Sequence, residues 1–149
     1  MMSSILKVSE AVALAIHACV IVAEKQAEGK TTTASIASAL KASEAHLSKV
    51  MQRLVRARIM NSVRGPGGGF VMSAKPEDIR LINIYEAVDG VFRCRECLFD
   101  HQSCDGHKCV LGKFIENINQ QVKMFFETKT LKDLIMKVSA NEKKHCKNR

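Results

Sequence analysis

The chain has 149 residues, 46% of them hydrophobic and 26% charged, the size of one globular domain with an appendage and apolar enough to bury a core; intrinsic disorder is excluded as its main state. With 5% aromatics, no Trp and one Tyr among many Ala, Leu, Ile, Val and Lys, it reads as mainly α rather than as a β-sandwich or barrel. The formal charge of +8 is unevenly spread: Lys30 to Arg64 holds seven basic residues against the single acid Glu44, a local +6, Glu142 to Arg149 adds +3, and Gly65 to Lys108 is −2. A basic excess gathered in one segment suits a phosphate-binding face, because each neutralised phosphate releases condensed counterions, but it also suits a solvated surface, so the residue pattern has to decide.

The first element is the nearly apolar run Ala11 to Ala23, about 13 residues with His17 inside it, well short of the roughly 20 that cross a bilayer. Glu10, Glu24 and Lys25 flank it and Lys7 is the only basic residue before it, which is a poor signal peptide. It reads as the core helix of a cytoplasmic protein with no membrane partner. Cys19 is expected to pack in that core, and His17 to lie at the surface or be satisfied locally.

Thr31, Thr32 and Thr33 then offer hydroxyls that can cap a helix carrying Ile36, Ala37 and Leu40 and stopping near Lys41. Ser43 can cap a second, in which Leu47, Val50, Met51, Leu54 and Val55 recur at i, i+3, i+4, i+7, i+8 as a buried stripe. Its opposite face presents His46, Ser48, Lys49, Gln52, Arg53 and Arg56, side chains able to reach base edges or phosphates from the major groove. Two short helices about three residues apart, the second basic, follow the helix-turn-helix plan. Asn61 to Arg64 and Phe70 to Ser73 read as two strands joined by Gly65-Pro66-Gly67-Gly68-Gly69, a wing with Arg64 at its base, suited to the minor groove beside the recognition helix. A nucleotide-binding loop is disfavoured, because no Gly-Lys-Ser/Thr follows and the next element is a strand rather than a helix.

The stretch His46-Leu47-Ser48-Lys49-Val50-Met51-Gln52-Arg53-Leu54, followed by Ser62-Val63-Arg64-Gly65-Pro66-Gly67-Gly68-Gly69-Phe70, resembles the bacterial Rrf-type winged helix-turn-helix regulators, the family of IscR, NsrR, RirA and CymR. The likeness extends over most of the chain: Lys7-Val8-Ser9 before an Ala-rich helix, the wing, Pro76 and Ile79, a helix through Ile84, Ala87 and Val88, and a Cys-bearing loop. It implies a homodimer that binds double-stranded DNA at an imperfect palindrome to regulate transcription. His46, Ser48, Lys49 and Arg64 take DNA-facing positions by resemblance; Gln52, Arg53, Gly65 and Gly67 join them as candidate contacts.

Cys94, Cys97, Cys104 and Cys109 are spaced C-x2-C-x6-C-x4-C in a polar loop with Asp100, His101, Asp105 and His107. Such a loop has no core for a buried Cys to fill, and four thiolates at this density can hold an iron–sulfur cluster or a tetrahedral zinc, between which spacing does not choose. The resemblance favours a [2Fe-2S] or [4Fe-4S] cluster and matches Cys97, Cys104 and Cys109 to the family's trio. The family's fourth ligands, a His soon after the last Cys or an acid from the first helix, are replaced here by Gly112 and Ala13, so Cys94 is the first candidate, with His101, His107 and Glu10 behind it. The loop would sense iron–sulfur status, nitric oxide or redox state; a metal-free thiol switch and a zinc-bound loop are the alternatives. Cys146 lies in a basic tail for which no structural role is expected.

From Val110 onwards Leu111, Phe114 or Ile115, Ile118, Val122 and Phe125 form the seam of a long amphipathic helix, which core packing or dimerisation would explain; the resemblance favours the dimer. Leu131, Leu134, Ile135 and Val138 make a last helix able to close back on the domain. The expected division is a winged helix-turn-helix domain at 1–90, a Cys-rich sensor loop at 91–109, dimerisation helices at 110–140 and the basic tail at 141–149. No Ser/His/acid or paired-carboxylate constellation stands out, and an enzyme is not expected.

Overall fold

The computed structural model describes residues 8–93 and 111–136. Helix α1 (Glu10–Lys25) begins at Ser9, whose Oγ accepts from the Val12 amide at 3.1 Å, and carries Glu10 in its first turn and Lys25 in its last, each sign matched to the helix dipole. Val12, Leu14, Ala15, Ala18, Cys19, Val20 and Val22 are buried, so the helix is covered on most sides, and its alanines let neighbouring helices come close. Its packing partners are the helix-turn-helix pair, the wing and the helix that follows the wing. His17 stays exposed, with Nδ1 2.8 Å from the Ala13 carbonyl.

Helix α2 (Thr33–Leu40) is capped by Thr32 and ends where Lys41 enters the left-handed region at φ 51°, which lets the Ala42 amide reach back to the Ala37 carbonyl at 3.0 Å. Helix α3 (Glu44–Arg56) starts from Ser43 and buries Leu47, Val50, Met51 and Leu54. Strands β1 (Met60–Val63) and β2 (Gly69–Met72) pair antiparallel with Met60 opposite Met72 and Val63 opposite Gly69. Both strands begin one residue before the expected positions, so the connecting loop is 64–68 and Arg64 belongs to it rather than to a strand. The register is set at the base, where Met60 and Met72 are both buried.

Helix α4 (Leu81–Asp89) opens with the Arg80 amide donating to Asn83 Oδ1 at 3.1 Å and closes at Gly90, φ 81°. Helix α5 (Gly112–Thr128) packs on α4. The chain then returns to the start of α4: Leu81 N–H donates to the Lys129 carbonyl (2.9 Å), and Leu131 N–H to the Ile79 carbonyl (2.8 Å). Residues 131–136 are helical, and Leu131 is fully buried in the core shared by α1, α3 and α4, as the apolar spacing of Leu131, Leu134 and Ile135 suggests; Val138 lies outside the described residues. The architecture is the expected one, mainly α with a two-stranded wing.

The apolar residues of α5 divide between an inner and an outer side. Ile115 and Phe126 are the buried residues and Val122 is half-buried against the core, whereas Leu111, Phe114, Met124 and Phe125 are exposed. Phe126 faces inward: its ring centroid lies 5.7 Å from that of Tyr85 and 6.1 Å from that of Phe92, with Tyr85 and Phe92 5.0 Å apart. Val122 and Phe126 are four positions apart, close to one helical turn, so both fall on the inner face of α5.

Candidate nucleic-acid interface

Helices α2 and α3 are separated by Lys41, Ala42 and Ser43, the three-residue turn of a helix-turn-helix. Ala42 is half-buried in that turn, and Ile36, Ala37 and Leu47 close the angle from inside. The stripe pulled inward by the core leaves the other side of α3 outward, so that Lys49, Gln52 and Arg56 are exposed and His46 and Ser48 half-exposed. Among the described residues no carboxylate pairs with Lys49, Arg56 or Arg64. A helix with cations and amide, imidazole and hydroxyl groups on one open face can lie in a major groove and hydrogen-bond to bases and phosphates.

The wing is positioned by contacts that have no local signal. Thr31 forms an antiparallel bridge with Phe70, its N–H donating to the Phe70 carbonyl at 3.1 Å and its own carbonyl accepting from the Phe70 N–H at 2.9 Å. A Cβ on Gly69 would come within 2.7 Å of the Thr31 carbonyl oxygen, so this close approach needs glycine. Gln26, just after α1, accepts from the Met72 N–H through Oε1 at 3.1 Å, and the Ser73 hydroxyl donates to the carbonyl of Arg58, a residue at φ 58°. The wing is thus joined at its base to the entrance of α2 and the end of α1, which fixes its place relative to α3. Of the three candidate threonines Thr32 caps α2, and the Thr31 hydroxyl is buried with no hydrogen-bond partner among the described residues. At the tip Gly65 (φ 112°) and Gly67 (φ 66°) occupy backbone that L side chains rarely adopt, giving a narrow loop with Arg64 exposed at its edge.

Arg53 stands apart from the other candidates. It is exposed overall, but its Nη1 donates to the Val88 carbonyl at the end of α4, 2.7 Å away. Nothing in the spacing of α3 distinguishes it from Lys49 or Arg56, because its partner is 35 residues away in sequence.

Cys94, Cys97, Cys104, Cys109 and Cys146, with His101 and His107, lie outside the described residues. Glu10 is exposed in the first turn of α1. Among the described residues no three of His, Cys, Asp and Glu gather into a metal-holding group. Cys19 is fully buried in α1 and burial pushes its thiol up, so it is a packing residue and not a nucleophile or ligand. Burial also raises Tyr85, and the nearby Asp89 carboxylate adds to the shift. Among the described residues no helix is long and apolar enough to cross a membrane.

Residues 8–137 match the family model described as Rrf2, iron-dependent transcriptional regulator. The chain is 30% identical over 112 residues to the HTH-type transcriptional regulator CymR of Bacillus subtilis (strain 168), covering 75% of this chain and 77% of that one. It is 26% identical over 122 residues to the HTH-type transcriptional regulator IscR of Aliivibrio salmonicida (strain LFI1238), covering 82% and 73%. A relative from Aquifex aeolicus (strain VF5) is 32% identical over 92 residues, 60% of this chain and 64% of its own length. The solved structure of CymR, the global cysteine regulator of B. subtilis, aligns with a TM-score of 0.73 and 28% identity over 88% of this chain and 97% of that one.

Proposed function

The chain belongs to the Rrf2 family of transcriptional regulators, and from that premise we propose that it binds double-stranded DNA as a homodimer at an imperfect palindrome, with α3 in the major groove and the wing against the minor groove. The observation that carries this reading is the outward polar face of α3 held beside a glycine-tipped wing by the Thr31 bridge. His46, Ser48, Lys49 and Gln52 face the groove in this arrangement, Arg64 follows the wing, and Gly65 and Gly67 let its backbone approach the sugar-phosphate chain. The exposed Leu111, Phe114 and Phe125 of α5 are apolar area suited to a second copy, which would set the two recognition helices about one helical turn of DNA apart. The division into a DNA-reading unit at 1–90, a Cys segment at 91–109, dimer helices at 110–140 and a basic tail at 141–149 belongs to the same proposal.

The Cys segment is the proposed sensor. Its donor set suits an iron–sulfur cluster: Cys97, Cys104 and Cys109 supply three anionic sulfurs and Cys94 a fourth, and soft thiolates are the ligands such a cluster requires. The iron dependence in the family's description supports the same choice over zinc. When bound, the cluster would supply a centre reactive to oxidants and nitric oxide. The segment follows α4 and precedes α5, so the ligand-bearing residues lie in the chain between the DNA-reading helices and the apolar face of α5.

Two measurements test this. Duplex DNA selected from a random-sequence pool by the full chain is expected to be an imperfect palindrome, and Lys49→Ala or Arg64→Ala to weaken binding and lower the salt slope by about one unit each; full affinity in the folded double variant would overturn the DNA reading. Protein purified without oxygen is expected to be coloured and to contain iron and sulfide, with Ser at Cys97, Cys104 or Cys109 bleaching it. Stoichiometric zinc without sulfide would replace the cluster by a zinc loop. Reversible oxidation of metal-free loop thiols with loss of DNA binding would replace it by a thiol switch.

A further inference from the structure

A basic residue on the recognition helix argues first for a phosphate contact, and Arg53 has the same sequence credentials as Lys49. The structure directs its guanidinium inward to α4. Arg53 Nη1 donates to the Val88 carbonyl at 2.7 Å, the short distance of a charge-assisted bond. Val88 lies in the last turn of α4, where carbonyls have no amide ahead of them in the helix; the Gly90 N–H takes the Glu86 carbonyl, and the Arg53 guanidinium takes that of Val88. Arg53 is itself in the last turn of α3. Its cation therefore sits at the negative ends of two helices, which favours the inward placement over one reaching out to solvent.

The helix end that Arg53 holds is also held by the chain that follows it. Gly90 turns the backbone at φ 81°, and the Phe92 N–H then donates to Glu86 Oε1 at 3.2 Å. The Phe92 ring packs with Tyr85 of α4 and Phe126 of α5. Phe92 precedes Cys94 by two positions, so the last turn of α4 joins the recognition helix, the start of the Cys segment and α5.

We propose that Arg53 is a positioning residue rather than a DNA contact: it caps α4 from α3 and makes the pose of the recognition helix depend on where Phe92 holds the end of α4. The proposal rests on α3 being the recognition helix. It gives a change at the start of the Cys segment a route of direct contacts to the DNA-reading face, through Phe92, Glu86, the last turn of α4 and Arg53.

The test is the salt dependence of binding by the full chain to a duplex selected by the unmodified protein. Lys49→Ala should lower the salt slope by about one, as loss of a phosphate contact does. Arg53→Met should weaken binding about fivefold, in the range of coupling changes made away from the ligand, with the slope unchanged, and should speed amide exchange at the end of α4 in the DNA-free protein. Phe92→Ala should weaken binding in the same way, and the Arg53→Met, Phe92→Ala pair should be no weaker than the stronger single variant, because both act on one helix end. A slope lowered by one in Arg53→Met, or additive effects in the pair, would overturn the proposal while leaving α3 as the recognition helix. Loss of any effect of Lys49→Ala would overturn that reading of α3 and the proposal with it. If Arg53→Met does not fold, Arg53→Lys keeps the separation: a phosphate contact survives the exchange of one cation for another, whereas the cap on Val88, made by the longer planar guanidinium, is weakened at full slope.

Discussion

Helices α3 and α5 are both amphipathic and both at the surface, but they leave opposite chemistry outside. In α3 the residues Leu47, Val50, Met51 and Leu54 turn inward, and what remains is polar and cationic. In α5 the inner face takes Ile115, Val122 and Phe126, and the outer face still holds Leu111, Phe114, Met124 and Phe125. One covered apolar stripe satisfies α3, whereas α5 has apolar residues for two. An outer face of cations suits a polyanion that remains hydrated, and an outer face of large apolar side chains suits a protein surface that excludes water. The contrast separates the two proposed partners of the chain, DNA at one helix and a second copy at the other.

Three substitutions break or sharpen that contrast, and the largest effect belongs to the inner side of α3. Leu54 is fully buried, and Leu54→Ala should lower domain stability by about 3 kcal/mol, read as a fall in the urea midpoint at unchanged slope. A loss below about 1 kcal/mol would mean that the α3 stripe is not the core it is taken to be. Next comes the joint between wing and helix pair. Gly69→Ala puts a Cβ 2.7 Å from the Thr31 carbonyl and should cost about 2 kcal/mol as an overpacking change, together with much of the DNA affinity; unchanged stability and binding would show that the Thr31 bridge does not hold the wing. The smallest effect on domain stability is expected at the outer face of α5. Phe114 is 56% exposed, so Phe114→Glu should change domain stability by less than about 0.5 kcal/mol while halving the mass seen by light scattering. A dimer that persists would move the contact to another surface.

The parts of the molecule readable without a structure are those whose signal is local. The helix-turn-helix is one, because the caps Thr32 and Ser43, the stop at Lys41 and the stripe of α3 all fall within one short stretch. The core role of Cys19 is another, since it lies in a helix whose residues are apolar nearly all round. The residues whose places were left open have distant partners. Three threonines stand together as candidate caps, and the bridge to Phe70 is what assigns Thr31 to the wing instead. Phe125 and Phe126 are adjacent and chemically identical, and the position of Tyr85 on α4 decides which is buried.

The sequence by itself determined the order of elements, the polar face of α3, the glycine wing and the presence of four thiols between two helices, because periodicity, capping and spacing are properties of neighbouring residues. The tertiary structure decided which face of α5 is inner, how the wing is set against α2, and that one arginine of α3 reaches the last turn of α4. Each of these depends on atoms brought together across 35 residues or more, and a fully extended backbone is equally consistent with many such pairings until the core selects one.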